Sequence, residues 1–317
     1  MWKTTNAGTT WKSIFDGQGS YSTGCVTLDP AVPGVVWIGT GENVGGRHVG
    51  FGDGVYWSGD GGEHWEKRGL EKSEHISRIV VHPKEPNTVW VAAQGPLWSP
   101  GGERGVYKTK DGGKTWKKVL GGGEWTGATD LLLDPRNPDL LYAATWQHQR
   151  SVAAYIGGGA ESRVHRSTDG GETWAKLDKG LPEGNWGKIG LAISPQNPDV
   201  VYAAIELDRR KGGVWRSADR GASWTKGADA VGGGTGPHYY QELWASPHAF
   251  DRLYLAGVRI QVSDDGGKSF RTLSESNKHS DNHAIAFRAD EPDFLLVGSD
   301  GGLYESHDLA LNWRFIQ

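Results

Sequence analysis

The run His279-Ser280-Asp281-Asn282-His283 sets two imidazoles and a carboxylate at alternate positions, just ahead of the apolar stretch Ala284 to Phe287. In an extended strand, side chains two residues apart share a face, so His279, Asp281 and His283 are expected to point the same way. Imidazole and carboxylate so placed can ligate a divalent metal, the one cofactor the chain suggests. They can equally supply a general acid or base oriented by a neighbouring acid, with His238, Tyr240 and Asp300 drawn in from adjacent loops. The plain reading is a hydrogen-bonded anchor at a strand entrance.

Other residues that do not fit any repeat collect in loops. Glu42, Arg47, His75, Trp125, Trp146, Trp186, Tyr239 and Asp300 are the candidate ligand-binding set. Aromatics beside amides and acids suit a sugar, whose C–H faces lie on rings while its hydroxyls need paired donors and acceptors. The same aromatics also suit packing between structural units.

The elements that position these loops are written in a repeat. Ser or Thr, any residue, Asp, any residue, Gly, two residues, then Trp recurs seven times, about every fifty residues. Ser167 to Trp174 and Thr109 to Trp116 are the clearest copies, joined by those around Asp60, Asp219 and Asp265. The first copy has Asn6 in the acidic place, and the last, Ser306 to Trp313, lacks its glycine. Aspartate accepts backbone amides just downstream, and glycine takes positive φ freely, so each copy predicts a tight turn between strands. The closing Trp11, Trp65, Trp116, Trp174, Trp224, Phe270 or Trp313 is expected to begin the next strand as a buried anchor. A device repeated in every unit serves the unit, so these aspartates are assigned to structure.

Between the turns lies a second pattern, exemplified by Leu28-Asp29-Pro30 before Val36-Trp37 and Val81-His82-Pro83 before Val89-Trp90. It reads as strand, Pro turn, strand. Four strands per unit, repeated radially, predict an all-β fold, a β-propeller of four-stranded blades. Six inner-strand blocks against seven turns predict six complete blades plus a partial seventh, a hairpin from about Trp2 to Phe15. Residues 1–317 are read as a single domain, a fragment of a longer multi-propeller protein.

Composition agrees. The chain has 49 Gly, 16 Trp and 36% hydrophobic residues, and no apolar run approaches the roughly 20 residues of a membrane span. A net charge of −4, with Asp208-Arg209-Arg210-Lys211 as the one basic cluster, argues against nucleic acid. Cys25 is the single cysteine and can form no internal disulfide. Nothing at Met1-Trp2-Lys3-Thr4-Thr5 resembles a signal peptide.

The turns resemble the Asp-box, or bacterial neuraminidase repeat, of sialidases, xyloglucanase-type glycoside hydrolases, sortilin ectodomains and a photosystem II assembly factor. With Gly39-Thr40-Gly41-Glu42-Asn43, Gly52-Asp53-Gly54-Val55-Tyr56, Gly95-Pro96-Leu97-Trp98-Ser99 and Gly298 to Ser306, the chain is similar to large secreted bacterial sortilin-like or glycosyl-hydrolase-like repeat proteins. That resemblance implies a secreted or periplasmic location. It does not carry over a sialidase site, because the Arg-Ile-Pro signature is absent and the arginines are dispersed. The xyloglucanase type divides its two acids between two propellers, so one ring holds at most half of that machinery.

Two functions stand. One is a carbohydrate-active propeller that binds or hydrolyses a polysaccharide or glycan at its central cleft, using His279, Asp281, His283, His238 and Tyr240. The other is a non-catalytic scaffold, sortilin-like or assembly-factor-like, that holds a peptide or protein.

Overall fold

The computed structural model describes residues 1–208, 211–232 and 239–316. The fold is an all-β propeller type of six four-stranded antiparallel sheets, each a meander in chain order. Blade 1 comprises Thr23–Leu28, Val36–Thr40, Val55–Ser58 and Glu66–Lys67; blade 2, Ile76–Val81, Val89–Ala93, Gly105–Thr109 and Lys117–Leu120. Blade 3 comprises Thr126–Asp134, Asn137–Gln147, Val164–Ser167 and Ala175–Lys176, and a side hairpin pairs Gln149–Arg150 with Tyr155–Ile156. Blade 4 comprises Ile189–Ile193, Val201–Glu206, Gly212–Ser217 and Thr225–Lys226; blade 5, Leu243–Ala245, Leu253–Leu255, Gln261–Ser263 and Arg271–Thr272. Blade 6 comprises Asn282–Arg288, Glu291–Ser299, Gly302–Ser306 and Arg314–Ile316. A further hairpin pairs Trp2–Lys3 with Lys12–Ser13.

The chain divides into two compact units. Unit 1 (Met1–Lys176 with Asn185–Gly187) holds the hairpin and blades 1 to 3, and unit 2 (Leu177–Gly184 with Lys188–Gln317) holds blades 4 to 6.

Every predicted turn closes the same way. In blade 3, Ser167 Oγ donates to Asp169 Oδ1 at 2.7 Å and receives the Gly171 amide at 2.8 Å, while Asp169 Oδ1 accepts the amides of Glu172 and Thr173 at 3.1 and 2.9 Å. The degenerate first copy makes the corresponding bonds with Thr4 and Asn6, and the last with Ser306 and Asp308. Two consecutive residues at positive φ turn the chain, as Gly170 (+68°) and Gly171 (+80°) do in blade 3.

The aromatic that closes each turn differs from expectation. Trp224 is buried, whereas Trp11, Trp65, Trp116, Trp174, Phe270 and Trp313 are half-buried, and the outer strands start one residue later. Some of these indoles donate to the neighbouring sheet, as Trp116 Nε1 does to Arg68 O at 2.6 Å and Trp313 Nε1 to Ser274 O at 2.8 Å, whereas Trp174 and Trp224 donate to Gly171 O and Gly221 O of their own turns, both at 3.2 Å. Full burial falls instead to the second-strand aromatics Trp37, Trp90, Tyr142, Tyr202 and Tyr254, each at most 2% exposed. Trp90 Nε1 donates to Gly170 O at 3.0 Å, locking blade 2 beneath the turn of blade 3. The apolar cores accordingly lie between successive blades: Trp37 and Val55 of blade 1 pack with Ile79 and Val91 of blade 2, and Tyr202 and Val214 of blade 4 with Leu243 and Leu255 of blade 5.

The N-terminal hairpin meets blade 1 by the bonds that link full blades. Trp65 Nε1 donates to Ile14 O at 2.5 Å, as Trp116 does to Arg68, and Lys3 Nζ reaches Gly61 O at 2.8 Å, as Lys108 Nζ reaches Gly170 O at 2.7 Å.

Candidate functional site

Blade 6 begins at Asn282, and Asp281 immediately before it takes φ +61°, a left-handed bend. The bend breaks the alternation expected of an extended run, so His279, Asp281 and His283 do not form the common face the spacing suggests. His279 bonds its neighbour through Nδ1, 2.7 Å from Ser280 O, and its side chain covers Gly301, where an added Cβ would lie 2.4 Å from His279 Cβ. Among the described residues no group of three or more His, Cys, Asp or Glu side chains is placed to hold a metal.

The acid/base grouping is drawn together by other means. Tyr240 donates its hydroxyl to Asp281 Oδ1 at 2.7 Å, and Ser280 Oγ donates to Oδ2 at 3.1 Å. The His283 ring stacks on Tyr240 with centroids 5.5 Å apart, and His283 Nε2 lies 2.9 Å from Asp300 Oδ1. An ionised carboxylate only accepts, so this contact puts a proton on Nε2 and makes Nδ1 the basic nitrogen of the neutral ring. Tyr240 is buried, while the side chains of His283 and Asp300 are 39% and 61% exposed, leaving the dyad open above a fixed floor. Tyr239 stands beside it, with its ring 6.3 Å from that of Tyr240. His238 lies outside the described residues.

Beneath the bend, Asn282 is 1% exposed and donates to Val258 O and Glu275 Oε1, both at 2.9 Å. The buried Lys278 ammonium bonds His279 O at 2.8 Å, and burial lowers its pKa. These bonds hold the turn that presents Asp281 and His283.

One cluster escaped the sequence reading. Lys188, 2% exposed, places Nζ 2.9 Å from Glu242 Oε1, and its backbone amide bonds Glu206 Oε2 at 3.1 Å. Glu242 follows Tyr240 by two residues, so the loop into blade 5 serves the lysine with one side chain and Asp281 with the other. The signal available was position: Lys188 directly precedes an inner strand, as His75 and Asn282's neighbour Asp281 do.

Unit 1 divides the remaining candidates. Trp146 and Trp186 are 0% and 2% exposed, so their rings offer no face to a ligand and are corrected to core. Trp146 stacks on His148 at 4.1 Å and donates to Gly157 O, while Trp186 carries the Arg163 guanidinium at 4.6 Å. Trp125 is half-buried with Arg104 5.6 Å from its ring, and Arg47 is exposed. His75 is 1% exposed, with Nδ1 2.9 Å from the Glu42 carbonyl, and burial pushes its pKa down to about 4. Arg104, also buried, folds the loop from Gln94 by donating to the carbonyls of Gln94 and Ser99 at 2.9 and 2.8 Å.

The chain matches the family described as Sortilin, neurotensin receptor 3 over residues 53–212, half its length. The chain belongs to the Sortilin-Vps10 family. Outside that family description it is similar to an oligoxyloglucan-reducing end-specific xyloglucanase of Emericella nidulans, 27% identical over 62% of this chain and 24% of the relative. It spans 15–29% of the length of the curated relatives it matches. Its fold is that of an ancestral GH74 enzyme (TM-score 0.64, 16% identity, 99% of this chain and 40% of that one). The fold is likewise that of YCF48 bound to D1 peptide (TM-score 0.58, 16% identity, 92% of this chain and 81% of that one). The Sortilin-Vps10 match ends before blades 5 and 6, which carry Tyr240, Asp281, His283 and Asp300.

Proposed function

We propose that this chain is a carbohydrate-active propeller domain whose working site is the Tyr240, Asp281, His283 and Asp300 cluster. The observation that carries the reading is the open His283–Asp300 pair standing on the Tyr240 ring. A stacked imidazole, two carboxylates and a neighbouring Tyr239 supply the acceptors and ring surface that sugar hydroxyls and C–H faces require. The xyloglucanase relatives support a glycan as the ligand class. In a hydrolytic version, His283 Nδ1 takes or returns a proton while Asp300 stabilises the imidazolium.

The test is binding to a glycan panel that includes xyloglucan, with His283→Ala and Asp300→Asn beside the parent chain. Loss of about tenfold or more in affinity in both variants is expected. Unchanged glycan binding in both would remove the assignment.

A second reading has one observation in its favour: the chain covers 81% of YCF48 bound to a peptide but 40% of the GH74 enzyme. On that reading the domain is a scaffold for a peptide, and an extended peptide would compete where glycans do not.

We also read the Trp2 to Ser13 hairpin as the outer half of a further, seventh blade, of the Asp-box kind like the others. Trp65→Phe should then destabilise the protein as much as Trp116→Phe, since each removes the same bond between neighbouring sheets. Urea unfolding that shows only Trp116→Phe to matter would refute it.

A further inference from the structure

The N-terminal hairpin stands against blade 1 as the outer half of a blade, and the strand that faces inward has no neighbour. Trp2–Lys3 pairs only with Lys12–Ser13, whereas the third strand of each full blade is flanked on both sides. Its second edge is a free row of backbone donors and acceptors. Trp2 is 63% exposed, where its counterpart in blade 2, Tyr107, is buried.

The face of blade 1 turned away from blade 2 is uncovered as well. Val26 and Leu28 of its inner strand are 51% and 69% exposed, while Thr27 between them turns the other way and donates Oγ1 to Ile79 O of blade 2 at 2.9 Å. Ile79, Leu131, Leu243 and Ile285 hold the place of Val26 in blades 2, 3, 5 and 6, and all four are buried. Each packs in one core with the second-strand aromatic of the blade before it: Trp37, Trp90, Tyr202 and Tyr254 in turn. Among the described residues Val26 has no such aromatic. The turn of blade 1 shows the same gap. A Cβ added at Gly113 would lie 3.3 Å from the Trp37 ring, and one at Gly171 2.7 Å from Trp90 Nε1. At Gly62, the same turn position in blade 1, the nearest atoms belong to Ile14 and Trp65.

We infer that the free edge of Trp2–Lys3 and the face carrying Val26 and Leu28 together receive a β-hairpin from outside the six blades, of the strand, Pro turn, strand kind, with an aromatic in its second strand. Strand addition supplies the backbone bonds, and the existing contact between blades supplies the template for the side chains. Register sets the aromatic opposite Lys3, as Trp90 stands opposite Lys108. There it lies over Val26, and an indole N–H reaches Gly61 O as that of Trp90 reaches Gly170 O. A single extended strand meets only part of the demand, because Cys25 of the inner strand also packs into the core between blades 1 and 2. The inference rests on the half-blade reading of the hairpin and shares no residue with the Tyr240, Asp281, His283 and Asp300 cluster.

The probe is a fluorescein-labelled peptide of residues 76–93 of this chain, the inner hairpin of blade 2, titrated into the full chain and followed by anisotropy. Saturable binding is expected, weakened about tenfold or more by Val26→Lys or Leu28→Lys in the chain, both at exposed positions, and by Trp90→Ala in the peptide. A second measurement joins the hairpin in cis, with a copy of residues 76–105 placed directly before Met1, the register at which Lys3 falls where Lys108 does. A raised urea midpoint, lost again on Trp90→Ala in the added copy, supports the site even where the free peptide folds too little to bind. No binding in trans together with an unchanged midpoint in cis overturns it, and so does binding indifferent to Leu28→Lys. Equal binding by residues 87–94 alone would make the occupant an extended peptide, and a dimer of the chain abolished by Leu28→Lys would make it a second copy. Either result overturns the hairpin. Failure of the docking site while Trp65→Phe destabilises the protein as Trp116→Phe does leaves the half-blade reading intact.

Discussion

Ala310 occupies the turn position that glycine holds in the six other copies, and it takes φ +73° with 1% exposure. An L-residue pays about 1 kcal/mol in that left-handed region, so Ala310→Gly should raise stability by about that amount despite the added freedom of the unfolded chain. A urea midpoint that falls on this substitution would contradict the strain argument. At the residue scale the site has the same logic. Asp281 pays for a left-handed bend, and the Tyr240 hydroxyl, the buried Asn282 and Lys278 hold it there. Burial pushes the Cys25 thiol up to about 11, so it should react slowly with a thiol reagent at pH 8 in the folded protein and rapidly once urea unfolds it.

At the scale of elements, blades 2 and 3 interlock through one large aromatic and one small turn residue. Trp90 passes under the blade 3 turn, and a Cβ added at Gly171 would come within 2.7 Å of Trp90 Nε1 while the backbone sits at φ +80°. Trp90→Ala should cost about 3–5 kcal/mol, and Gly171→Ala about 1–3 kcal/mol. The double variant should cost less than the sum, because the cavity made by the first relieves the clash of the second. Strict additivity in chemical denaturation would show that the two residues do not share one contact.

Across the whole molecule, acid sensitivity has two limbs. His75 and His165 are held neutral by burial, each with its pKa lowered from 6.5 to about 4. Their unfolded forms bind protons first, so stability present above about pH 6.5 declines as pH falls towards 4. The turn aspartates add the second limb. Hydroxyl bonds from Thr115, Ser223 and Ser269 hold Asp111, Asp219 and Asp265 at about 2, below their ordinary 3.8. Their contribution is present above about pH 4 and lost as pH falls through about 2. The urea midpoint followed against pH should fall in both windows, and His165→Gln should flatten the upper one. A midpoint constant from pH 6.5 to 4 would show that the histidines titrate alike folded and unfolded.

The turns, the four-strand rhythm and the inner strands were legible because each is local: a hydroxyl, an acid and a glycine within eight residues close their own hydrogen bonds whatever surrounds them. His283 and Asp300 were singled out as residues outside the repeat, but their pairing across 17 positions was not readable from spacing. Trp146 and Trp186 looked like ligand platforms because neither belongs to a repeat that would reveal burial; Trp146 lies in the second strand of blade 3 with its ring against His148, and Trp186 lies under the Arg163 guanidinium. Lys188 was missed because its meaning depends on Glu242, 54 positions away.

By itself, then, the sequence determined the blade, since its turns and strand pairs are satisfied within a few residues. Tertiary structure alone decided which polar side chains meet. Tyr240–Asp281 and Lys188–Glu242 run between successive blades and His283–Asp300 joins two segments of blade 6, and at Asp281 one backbone bend replaced the shared face of a strand with a hydrogen bond to Tyr240.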